Sequence, residues 1–178
     1  ILGYNHEPVV LAIKNQLDKG SIFSLPHKLE VEASELMCDT IPNTDMAKFT
    51  KTGSDSVTAA VRASRAITKK NNIAYCGGGG VWHDWFTVIT SRNQGIPKNQ
   101  KNMIKTFEYN DIESLKTLLD NNKEIGTVCM EPMIFDYPTN NFLAQVKKVA
   151  HDHDALLIFD EVQTGFRWSI GGAQKHFD

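Results

Sequence analysis

The chain has 178 residues, 41% hydrophobic and 22% charged, the composition of a soluble globular domain with a real core. Its 19 basic and 21 acidic residues leave a formal net charge of −2 with no long run of either sign, which excludes a nucleic-acid or membrane-surface footprint. No apolar stretch approaches the roughly 18 residues of a membrane span, and Cys38, Cys76 and Cys129 are too scattered for a disulfide scaffold or zinc site, so a reduced cytoplasmic interior is expected.

The chain opens on Ile1 without Met or signal peptide and closes soon after Gly171-Gly172, so it is read as a piece of a longer protein. Val9, Val10, Ile13 and Leu17 predict a helix from Glu7 to Lys19 that stops at Gly20. A second helix is expected over Pro26–Asp39, with Pro26 in its first turn. Met46–Thr50 is a short strand candidate. Thr52-Gly53-Ser54 then leads into an Ala-rich helix whose Val57, Ala60, Val61 and Ser64 share a face. Ile73–Cys76 reads as a strand, followed by Gly77–Gly80 and Trp82-His83-Asp84-Trp85. A further strand is expected within Met103–Phe107 and a helix from Asp111, with that Asp as N-cap. Gly126–Pro132 predicts a buried strand ending on Glu131, and 140–153 a helix with Phe142, Leu143, Val146 and Val149 inward. Ala155–Phe159, five apolar residues in a row, predicts a strand buried on both faces and ending on Asp160. This alternation of strands and helices predicts an α/β fold with a mostly parallel sheet.

Three features carry candidate chemistry. Thr52-Gly53-Ser54 before a helix is either a plain cap or an anion site, where unpaired N–H groups, a glycine and hydroxyl donors meet. It is neither a Walker sequence nor GxGxxG. Trp82-His83-Asp84-Trp85 is either two core tryptophans with a hydrogen-bonded His, or the wall of a pocket over a flat ligand. Glu131 and Asp160 end neighbouring strands where open α/β sheets bind ligands. Two such acids beside an anion site favour a ligand that is anionic at one end and cationic at the other.

The segments Thr52-Gly53-Ser54-Asp55-Ser56, Glu131-Pro132 and above all Asp160-Glu161-Val162-Gln163-Thr164-Gly165-Phe166-Arg167 resemble the class III pyridoxal-phosphate aminotransferases. Gly3-Tyr4-Asn5-His6, the Trp82–Trp85 patch and Gly171-Gly172-Ala173-Gln174 are similar to the branch around glutamate-1-semialdehyde aminomutase. The resemblance implies a fold-type-I large domain, with 1–45 as an N-terminal helical segment and 46–178 as part of the cofactor-binding domain. It implies pyridoxal 5'-phosphate as cofactor, no metal, a small-molecule amino donor and carbonyl acceptor, and a homodimer. By resemblance Asp160 is the catalytic carboxylate pairing with the pyridinium nitrogen, Val162 packs on the ring and Gln163 reaches its phenolic oxygen. Gly53 and Ser54 hold the phosphate, with Thr52, Trp82 and Glu131 in supporting places.

Two departures stand out. Gly79-Gly80-Val81 occupy the place of the family's aromatic-His-Gly triplet, so the stacking ring is lost, replaced by an aromatic such as Trp82, or hidden by a sequence error in a glycine-coding run. The family's Schiff-base lysine falls downstream of Asp178, so the chain alone is expected to be inactive. An amino-group-moving mutase and a non-catalytic homologue are the alternative functions.

Overall fold

A computed structural model describes residues 1–78 and 80–177; Gly79, within the glycine run, lies outside the described residues. Contacts divide the chain into two units, the first being Ile1–Lys48 and the second beginning at Phe49.

The first unit holds α1 (Glu7–Leu17) and α2 (Lys28–Thr40). α2 starts later than Pro26 because the side chain of His27 serves as the cap, its Nδ1 accepting the Leu29 N–H at 3.2 Å. Pro26 therefore stands outside the helix. Neither helix buries a residue, and Ile13, Leu17, Leu29 and Leu36 are all exposed. The Met46–Thr50 strand does not form. A strand needs a neighbour for its ladder, none pairs with this segment among the described residues, and Met46 is 88% exposed.

The second unit is an α/β layer structure, as the alternation predicts. Its strands are β1 (Asn72–Cys76), β2 (Ile104–Thr106), β3 (Ile125–Met130) and β4 (Leu156–Phe159), all parallel, in the order β2-β1-β3-β4. The helices are α3 (Gly53–Thr68), α4 (Asp84–Thr87), α5 (Ile112–Asn121), α6 (Phe142–Asp152) and α7 (Gly172–His176). Asp111 caps α5 as expected, its Oδ1 accepting the Ser114 N–H at 3.0 Å. α6 begins two residues late because Asn140 and Asn141 take left-handed backbone, φ 51° and 56°, which asparagine tolerates. β4 is half-buried along its length rather than buried on both faces, because only β3 pairs with it among the described residues.

Alternation along the strands sorts the core into two halves. Ala74, Cys76, Val128, Met130, Leu157 and Phe159 pack with α5 and α6. Ile73, Tyr75, Cys129 and Ile158 pack on the opposite face with Val57 and Val61 of α3. α3 is pinned to β3 by buried polar contacts: Ser64 Oγ donates to the Gly126 carbonyl at 3.1 Å, and Thr127 Oγ1 donates to Ser64 Oγ at 2.7 Å. This close approach requires a glycine, since a Cβ on Gly126 would lie 2.4 Å from Thr68 Oγ1.

Candidate functional site

The sheet order reverses at β1, whose two neighbours in the sheet are β2 and β3. The loops leaving the carboxyl ends of β1 and β3 diverge there, opening the crevice in which parallel α/β sheets place ligands. Glu131 and Asp160 sit side by side at that edge, continuing the Met130–Phe159 register; the Asp160 N–H donates to the Met130 carbonyl at 2.8 Å. Both lie two residues beyond Cys129 and Ile158, so alternation turns both acids toward the α3 face.

Asp160 is half-buried, and its Oδ1 accepts the Val162 N–H at 3.0 Å. Burial raises its pKa above the ordinary carboxylate value, the Val162 bond opposes that, and nearby Glu161 adds to it. Among the described residues no Lys, Arg or His lies within ion-pair distance of it. Glu131 is buried, and its Oε1 accepts the Gly78 N–H at 2.9 Å. Gly77 leaves room for this cluster: a Cβ there would lie 2.5 Å from the Tyr75 hydroxyl and 3.0 Å from Glu131 Oε1. The Tyr75 phenol and the Cys129 thiol are held protonated well above their ordinary ranges, first by burial and then by the fields of Glu131 and Asp160. These two neighbours of the acids carry no motif and were not singled out by the sequence.

The α3 N-terminus is the opposite pole. Thr52 is a full capping-box residue: its Oγ1 accepts the Asp55 N–H at 3.2 Å, while its own N–H donates to Asp55 Oδ2 at 3.0 Å. The plain-cap reading thus holds for Thr52. The next two N–H groups, of Gly53 and Ser54, have no acceptor among the described residues and lie at the positive end of a helix of 16 residues. Ser54 Oγ is engaged by the Trp82 N–H at 3.0 Å. Gly53 packs directly on Val162, where a Cβ would come within 2.7 Å of Val162 Cγ2. That contact brings the helix start against the segment carrying Asp160. Val162 otherwise faces outward, 62% exposed, and Gln163 is exposed beside it.

The aromatic patch divides. Trp85 is half-buried and donates from Nε1 to Thr58 Oγ1 at 2.7 Å, whereas Trp82 is 66% exposed and is no core residue. The Arg92 guanidinium lies over the Trp82 ring, 5.1 Å from its centroid, a cation–π contact that sequence spacing did not suggest.

Glu161 has a separate task. Its carboxylate accepts the N–H groups of Ala173 (2.8 Å) and Gln174 (2.9 Å), closing the start of α7 onto the end of β4. Gly172, with φ +84°, makes room, since a Cβ would lie 2.5 Å from Glu161 Oε1. Replacing Glu161 with Ala is expected to cost about 1–3 kcal/mol, the range for orphaning buried donors. Amide exchange at Ala173 and Gln174 should accelerate first; unchanged protection there would refute the role.

Comparison with known proteins gives a consistent outcome. The family model described as Aminotransferase class-III matches residues 1–177. A glutamate-1-semialdehyde 2,1-aminomutase from Methanosarcina acetivorans is 36% identical over 99% of this chain and 45% of its own length. A 3-aminobutyryl-CoA aminotransferase from Cloacimonas acidaminovorans is 37% identical over 99% of this chain and 44% of its own. A solved structure of a transaminase with PLP bound superposes with a TM-score of 0.89 at 25% identity, covering 97% of this chain and 44% of that one. The chain thus spans less than half the length of these relatives. With the family model matched from Ile1 to Phe177, the chain belongs to the class III aminotransferase family.

Proposed function

We propose that the protein containing this chain is a pyridoxal-phosphate-dependent aminotransferase, passing an amino group from a small-molecule donor to a carbonyl acceptor in two half-reactions. The observation that carries the reading is Asp160, a desolvated carboxylate at a strand end that no cationic side chain among the described residues neutralises. A pyridinium N–H supplies the missing charge. Across the same face, the Gly53 and Ser54 N–H groups suit a phosphate. The residues present therefore fit pyridoxal 5'-phosphate at both of its polar ends. When bound, that cofactor supplies an electron sink for the substrate α-carbon.

The chain's own part is to bind and to hold one proton. Asp160 keeps the ring nitrogen protonated through its carboxylate. Gly53 and Ser54 hold the phosphate from a helix start that Thr52 caps. Val162 would flank the ring and Gln163 would reach its phenolic oxygen, while the Trp82 backbone N–H fixes Ser54 and Glu131 holds the Gly78 N–H beside the site. The family's Schiff-base lysine, as the resemblance places it, would lie downstream of Asp178, and without it the chain by itself would not turn over. Residues 1–45 form the N-terminal segment and 46–178 part of the cofactor domain. The uncovered apolar residues of α1 and α2 support a homodimer, and three unpaired cysteines support a cytoplasmic location.

A second reading, an aminomutase, is favoured by the 36% identity to the Methanosarcina acetivorans protein. The test is amino transfer by the full-length protein, loaded with pyridoxal phosphate, from amino-acid and ω-amine donors to 2-oxo acids. Labelled nitrogen should appear on the acceptor. Conversion of glutamate-1-semialdehyde with no second substrate would establish the mutase instead, and a protein that loses pyridoxal phosphate on dialysis and does neither would overturn both.

A further inference from the structure

The segment 82–85 contacts the first turn and a half of α3 at three places: Trp82 N–H on Ser54, His83 on Asp55, and both His83 and Trp85 on Thr58. The Trp85 donor fixes the first proton position in this group. An indole nitrogen only donates, so Thr58 Oγ1 accepts from Trp85 Nε1 at 2.7 Å. Thr58 still has its hydroxyl proton to give, and giving it to His83 Nδ1, also at 2.7 Å, makes that nitrogen the acceptor. In that arrangement the imidazole proton sits on Nε2, which faces Asp55 Oδ1 at 3.5 Å. The other oxygen of Asp55 accepts from the N–H of Thr52 at 3.0 Å and from its hydroxyl at 2.8 Å. A run of polar contacts thus leads from Trp85 through Thr58 and His83 to Asp55, whose carboxylate in turn accepts from Thr52, the residue that caps α3.

We propose that His83 is a positioning residue for the phosphate seat: held as the Nε2–H tautomer by Thr58 and Trp85, it orients Asp55 and so fixes the Thr52-Gly53-Ser54 turn. The inference rests on the cofactor reading given above and extends it to a residue that touches neither end of the ligand. The physical reason is that a capping box by itself leaves one carboxylate oxygen of Asp55 to water. An aspartate free to rotate would trade Thr52 for solvent and let the first turn fray. His83 Nε2 stands 3.5 Å from that second oxygen and disfavours the competing rotamer.

Two measurements on the full-length protein test this. In the first, nitrogen-15 NMR of wild type should find the tautomeric proton of His83 on Nε2; an Nδ1–H tautomer would overturn the relay. The second compares Thr58→Val, which keeps shape and removes the hydroxyl, with Thr58→Ser, which keeps it. Thr58→Val should weaken pyridoxal phosphate about tenfold, the scale of losing a hydrogen bond in a charge-linked run, while binding of pyridoxal, which lacks the phosphate, stays unchanged. Thr58→Ser should restore the wild-type affinity. Equal loss of both ligands would mean a general packing role, and no loss would mean no role; either overturns the proposal. Wild type binding neither ligand would sink the cofactor reading, and this inference with it. Should Thr58→Val not fold, His83→Gln takes its place with the same two ligands and the same expected split.

Discussion

Replacing Asp160 with Asn is expected to lower amino transfer by the full-length protein by about 10²–10³-fold, the scale for losing one preorganised charge at a reacting group, while making the cofactor-free protein more stable. The two effects have one cause. Asp160 is a carboxylate held in a desolvated place, where among the described residues the Val162 N–H offsets the cost and Glu161 adds repulsion. Its pKa in the folded state lies above the unfolded value of 3.8, so the native state binds the proton more readily than the unfolded chain. Stability therefore falls as pH rises from the unfolded value through the folded one, and is regained as pH falls. Asn carries no charge to desolvate. The stability advantage of the variant should be small near pH 4, grow as Asp160 ionises, and then level off. Urea midpoints of both proteins without cofactor, taken across that range, provide the check. A variant that keeps activity, or whose stability tracks wild type at every pH, would remove Asp160 from the centre of the proposed mechanism.

Gly53→Ala should be the second severe change, and a reversible one. A methyl group at position 53 would lie 2.7 Å from Val162 Cγ2 and 3.0 Å from Cγ1, so either the helix start or the Val162 segment must move. Overpacking of this kind costs about 1–3 kcal/mol, and movement here separates the two poles between which the cofactor would lie. Pyridoxal phosphate affinity should fall along with stability. Val162→Ala removes the opposing methyl groups, so the double variant should recover most of the lost stability. A double-mutant cycle would then show a coupling of at least about 1 kcal/mol. Additive effects would mean that the residues do not press on one another.

Much of this was legible in the sequence because it rests on local chemistry. The apolar run into Asp160, the Asp111 cap and the inward face of α6 follow from spacing and from residue type, and the structure places them accordingly. The DEVQTGF segment carries the resemblance to the family by itself. What escaped reading depends on partners distant in the chain. Met46–Thr50 has strand-like residues but no neighbour to pair with. The half-exposed state of β4 is set by its place at the sheet edge, which its composition does not encode. Glu161 looked like part of the signature beside Asp160, yet its carboxylate turns to α7 because Gly172 leaves room 11 residues on. Arg92 over Trp82 joins residues ten apart through a loop with no periodic pattern. His27 as a helix cap is invisible to rules that expect Ser, Thr, Asp or Asn.

The bolt joining α3 to β3 has a mechanical meaning as well. Ser64 is fastened to Gly126 and Thr127 near one end of the helix, and Gly53 begins the other end, 11 residues or about 16 Å away. The helix is a lever with its fulcrum at Ser64. A tilt of about 5° at that fulcrum sweeps the far tip through about 1.4 Å, enough to spoil a hydrogen-bonded seat. The missing side chain at position 126, deep beneath the opposite end of the helix, therefore sets the aim of the turn at position 53.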